Sequence, residues 1–70
     1  MKPFAKLRGR IVEIFGTQSK FAETIQVSEV TVINKLNGKY DFSLNDIVLW
    51  ANALKIGKDE IGAYFFADKL

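Results

Sequence analysis

The sequence predicts an all-α protein, a compact bundle of five short helices forming one domain over residues 1–70. Apolar residues recur at spacings of three and four, and no segment keeps the period-two alternation of a half-buried strand. Helix-starting and helix-stopping residues punctuate that pattern at short intervals. A chain this small buries only about 60% of the surface it exposes when unfolded, so it holds one core. With no cysteine, neither a disulfide nor a thiolate metal site supplements that core.

The first helix is expected over Phe4 to Phe15, with Leu7, Ile11, Ile14 and Phe15 on its inner stripe and Gly16 as its stop. Gly9 lies inside it and costs about 1 kcal/mol against alanine. Either the helix begins later, near Arg10, or Gly9 admits another backbone. The second helix starts at Thr17 as N-cap and turns Phe21, Ala22 and Ile25 inward. The third starts at Ser28, with Val27 and Val32 placed as a hydrophobic staple, and ends at Asn37-Gly38.

Residues 39–42 read as a loop. Ser43 then opens the fourth helix with Asp46 three residues on, a capping box, and Phe42 with Ile47 is a second staple. Its inner stripe is Ile47, Trp50 or Ala51, and Leu54, ending before Gly57. A fifth helix carries Asp59 and Glu60 in its first turn, where anions favour the dipole. Ile61, Tyr64 and Phe65 face inward, and Ile56 staples onto Ile61.

Composition narrows the function. Without histidine or cysteine, the chain lacks the commonest general base and the best thiol nucleophile, so the sequence reads as a non-enzyme. No residue is singled out as catalytic or as a metal ligand, and no cofactor is expected. Apolar runs are far shorter than the roughly 20 residues of a membrane span, and no signal-peptide core follows the basic N-terminus. A cytoplasmic protein with no membrane partner is expected. The net charge of +2 is unevenly placed, since residues 1–40 carry seven basic and three acidic groups and residues 41–70 three and five. That asymmetry suits a domain offering one face to an anionic polymer.

The second and third helix signatures meet at a two-residue break, and the third carries polar groups on its unburied face. The pattern is that of a helix-turn-helix DNA reader. With Thr17-Gln18, Phe21-Ala22, Val27-Ser28, Thr31-Val32 and Asn37-Gly38-Lys39 at these spacings, the chain resembles the lambda-type Cro and repressor family, also called XRE-like. Gly9-Arg10-Ile11-Val12, Lys35 to Lys39, Phe42-Ser43 and Tyr64-Phe65-Phe66 look like short Cro-like regulators of phages and prophages of Gram-positive bacteria. It departs from the broader pattern at Gln26, where glycine is usual, at Lys35, where an apolar residue packs, and at Leu36, where a polar residue is common.

The resemblance implies a transcriptional repressor that lays its third helix in the major groove of a pseudo-palindromic double-stranded operator and blocks transcription. Glu29, Val30, Thr31, Asn34 and Lys35 would then read bases, by pairing with cytosine, adenine or guanine and packing on thymine methyls. Thr17, Gln18, Lys39, Tyr40 and Ser43 would hold phosphates, with Lys6, Arg8 and Arg10 either adding charge or forming a solvated basic helix end. A homodimer on DNA would need an apolar patch, for which Trp50 or Val48, Phe66 and Leu70 are the candidates. A competing reading is a helical protein-interaction module, an antirepressor or modulator. It would bind a larger repressor through Val30, Ile33 and the C-terminal aromatics, since Glu29 and Val30 stand where a more polar reading face is expected.

Overall fold

Thr17, Ser28 and Ser43 each begin a helix through the same local bond, a side-chain oxygen accepting the N–H three residues on. The distance is 3.1 Å to Lys20, to Thr31 and to Asp46 respectively. In the computed structural model, which describes residues 3–66, these caps separate α1 (Ala5–Phe15), α2 (Gln18–Ile25), α3 (Glu29–Leu36) and α4 (Leu44–Leu54). At Ser43 the box closes, because the Asp46 carboxylate accepts the Ser43 N–H at 2.8 Å. The all-helical bundle expected from the sequence is the fold observed.

The ends of α1 and α4 follow the sequence pattern, and the fifth element departs from it. Gly16 stops α1 with φ 84°, as its position suggests. α4 ends before Gly57, as expected, with Lys55 capping it in left-handed geometry (φ 56°, ψ 41°). Arg10 reaches from α1 to hold this end, donating from Nε to Leu54 O at 2.9 Å and from Nη2 to Lys55 O at 3.1 Å. The fifth element is not an α-helix: a 3-10 turn, Lys58–Glu60, leads through Ile61 into a π-helical turn, Gly62–Phe66. Successive residues diverge less around the wider π turn than around an α-helix, and the adjacent rings of Tyr64 and Phe65 are both buried.

The core gathers Leu7 and Ile11 from α1, Phe21, Ala22 and Ile25 from α2, Val32 and Leu36 from α3, and four residues of α4. Both Trp50 and Ala51 belong to the α4 stripe, and Val27, Phe42 and Ile61 pack half-buried against its margins. Phe42 makes edge-on ring contacts with Phe4, Trp50 and Phe65, at centroid distances of 5.3, 4.9 and 5.3 Å. Trp50 continues the chain to Phe21 at 4.8 Å.

Gly9 lies within a continuous α1, and a Cβ built there meets nothing within 4 Å. Neither expectation for it holds, since the helix does not start later and no backbone approaches. At the turn between α2 and α3, Gln26 takes the left-handed conformation (φ 61°, ψ 41°) that a glycine would adopt without a Cβ clash. Two stabilising substitutions follow. Gly9→Ala should raise the unfolding free energy by about 1 kcal/mol. Gln26→Gly should raise it by about 0.5–1 kcal/mol, the relief of left-handed strain exceeding the added entropy of the unfolded chain. Urea denaturation checks both, and a loss of stability in either variant would contradict the local geometry.

Candidate interaction surface

The helix-turn-helix shape is present, but Arg8 and Arg10 on α1 and Lys35 on α3 are engaged with the protein itself. Arg8 donates from Nη2 to Leu36 O at 2.9 Å and to Asn37 Oδ1 at 2.8 Å, and from Nε to Pro3 O at 2.8 Å. It thereby satisfies carbonyls at the C-terminus of α3, where a cation also favours the dipole. Arg10 does the same for α4 and pairs with Glu13 at 3.1 Å. The Lys6 ammonium stands 4.7 Å from the centroid of the Tyr64 ring. None of the three is simply a solvated basic helix end.

Lys35 is likewise engaged. Its Nζ donates to Asp46 Oδ2 at 2.8 Å and to Asp41 O at 3.3 Å, with the side chain largely covered. This ties the last turn of α3 to the first turn of α4. Partial burial would raise the Asp46 pKa, but hydrogen bonds from Lys35 and from the backbone and side chain of Ser43, with the charge of Lys35, hold it below its ordinary value.

The other expected contact residues divide between structural duty and exposure. Thr17 and Ser43 spend their hydroxyls on helix caps, and the Thr31 hydroxyl lies 2.8 Å from that of Ser28. Gln18 and Asn34 are half-buried, and the backbone carbonyl of Asn34 accepts the Lys39 N–H at 2.9 Å. Glu29, Val30, Lys39 and Tyr40 are exposed, Val30 by 66%, and Lys39 Nζ lies 5.9 Å from the Tyr40 ring centroid. Ile33, one turn from Val30 on α3, is 37% exposed. Of the expected dimer residues, Trp50 is 1% exposed and belongs to the core, whereas Val48 and Phe66 are exposed and Leu70 lies outside the described residues.

The outer face of α3 thus presents Val30 and Ile33 beside a carboxylate. A helix that reads DNA needs the reverse, because phosphates repel Glu29 and binding draws on free Lys and Arg to displace counterions. The geometry defines a small all-helical domain with a helix-turn-helix frame and an apolar, acid-edged outer helix.

The chain belongs to the family described as "Protein of unknown function (DUF739)", which it matches over residues 2–68. Among solved structures it is similar to the solution structure of the modulator of repression (MOR) of the temperate bacteriophage TP901-1 from Lactococcus lactis. The two are 35% identical and superpose with a TM-score of 0.84, over 94% of this chain and 89% of that one. Comparison with curated proteins gives no match. These findings overturn the assignment to the lambda-type Cro and XRE-like family, and with it the reading as a Cro-like repressor occupying an operator. The shared helix-turn-helix frame misled that assignment, since its spacing is set by core packing and capping and carries no information on what the outer face binds. No helix among the described residues is long and apolar enough to cross a membrane.

The Asp46 carboxylate should contribute stability above its ordinary pKa of 3.8 and lose that contribution as pH falls through its lower folded value. Asp46→Ala should cost about 2 kcal/mol at neutral pH, by removing half of the capping box and the partner of Lys35. It should also flatten the loss of stability on acidification below about pH 4. Thermal unfolding of both proteins across that range provides the check, and an unchanged acid limb would deny Asp46 this role.

Proposed function

We propose that this chain is a helical protein-interaction module that modulates repression by binding a larger repressor. The exposed pair Val30 and Ile33 beside Glu29 carries the reading, because an apolar helix face edged by a carboxylate suits a protein surface and not a polyanion. The likeness to a modulator of repression over nearly the full chain supports it. Internal engagement of Arg8, Arg10 and Lys35 supports it further, since those cations stabilise helix ends instead of facing a phosphate backbone. Lys39 and Tyr40 follow α3 in the chain, and Tyr40 supplies an exposed amphipathic ring of the kind interfaces enrich.

The test is calorimetric titration of the purified 70-residue chain against the larger repressor encoded in the same genome. Val30→Glu should weaken that binding by about 2–4 kcal/mol, the range of a central interface residue. Val30 is exposed in the free protein, so the helical circular dichroism should be unaltered. Full-strength binding by both Val30→Glu and Ile33→Glu would remove α3 from the interface.

A further inference from the structure

A second exposed apolar face lies on α4 and is independent of the α3 surface. Leu44, Val48 and Leu49 are 76%, 52% and 40% exposed. At about 100° per residue they share, with the exposed Asn45 and Asn52, an outward arc of about 140°. This arc contains no ionisable group, as Asp46 lies outside it and is bound to Lys35. Beside it runs an apolar groove of about 310 Å³, with Ile47, Val48, Ala51, Ile56 and Ile61 among its lining residues and Leu44 at its wall. Its one charged lining residue, Lys58, is exposed.

We propose that α4 pairs in antiparallel fashion with α4 of a second copy about a two-fold axis at Val48, each Leu44 entering the other copy's groove. In an isologous contact residue i of one copy meets residue j of the other and j meets i, so a face bearing charge of a single sign would repel its twin. The α4 arc avoids this, and its asparagine amides both donate and accept. The α3 face, with Glu29 beside Val30, suits a foreign partner better than a copy of itself. The register agrees: Leu44 and Asn52 lie four residues, about 6 Å, to either side of Val48. A two-fold there sets Leu44 of one copy level with Asn52 of the other, where Ala51, Ile56 and Ile61 form the groove. The same face therefore carries both the protruding side chain and its receptacle. One helix face is less than the about 800 Å² per partner of a standard interface, so the dimer is concentration-dependent.

Sedimentation equilibrium of the full chain from about 10 μM to about 1 mM spans the affinities expected of such a contact. The weight-average mass should climb from 7.9 kDa toward twice that value. Leu44→Asp should weaken association at least about tenfold, the effect of carrying a carboxylate out of water into an apolar groove. Leu44 is the exposed first residue of α4, where a carboxylate suits the helix dipole, so the variant should keep its helical circular dichroism. Val30→Glu should dimerise like the wild type, which separates this surface from the proposed repressor site. A wild-type mass fixed at that of the monomer would overturn the proposal. So would undiminished dimerisation of Leu44→Asp, or a dimer abolished by Phe66→Ser alone. Loss of repressor binding by Leu44→Asp in a monomeric wild-type background would assign the groove to a foreign protein and equally overturn it.

Discussion

The fold depends on the placement of one loop residue, Phe42. Its ring meets Phe4 ahead of α1, Trp50 on α4 and Phe65 in the C-terminal turn, all edge-on. Such geometry lets the positive rim of one ring face the negative face of another, adding about 0.5–1.5 kcal/mol per pair beyond area burial. Because Trp50 also contacts Phe21, the start of the chain, α2, α4 and the C-terminal turn are joined through aromatic contacts. Phe4 accepts a left-handed backbone (φ 55°) at the start of α1 while its ring is buried against Phe42. In a chain with no disulfide, packing of this kind replaces a covalent staple.

Electrostatics serve the same end. Three cations that could have formed a phosphate-binding face, Arg8, Arg10 and Lys35, instead close the ends of α3 and α4 and join those two helices. Each helix end leaves carbonyls without intrahelical partners, and a guanidinium fork can satisfy two at once. Recruiting arginines from α1 for that work locks the three helices together and withdraws positive charge from the outer surface. The outer faces of α3 and α4 carry apolar area, with a carboxylate at the edge of one. A surface of that kind is suited to proteins, in agreement with the likeness to a modulator of repression.

The sequence made the helical class and most element boundaries legible because their causes are local. Thr17, Ser28 and Ser43 act on N–H groups three residues away, and Gly16 ends its helix through its own backbone freedom. The unusual conformation of Gln26 was legible too, as a residue in a turn that favours glycine. That α4 ends before Gly57 was legible, but the group that closes it was not, because Arg10 lies 45 positions from Lys55. The α4 face was legible in part: Leu44 and Val48 recur at four residues on the side opposite Trp50, a signal that α4 is apolar on two sides.

The sequence by itself determined that the chain is one small α-helical domain with a helix-turn-helix frame, and that Val30 would stand beside Glu29 on its third helix. Hydrogen bonds over three residues and a 3.6-residue period suffice for that much. Only the tertiary structure decided which cations are occupied, because Arg8, Arg10 and Lys35 find partners 28, 44 and 11 positions away. It also decided that Trp50 is core while Leu44 and Val48 are surface, since a helix apolar on two sides is oriented by what packs against it. A charge count over a segment cannot separate a lysine that faces solvent from one that closes a helix end, and the proposed function turns on that difference.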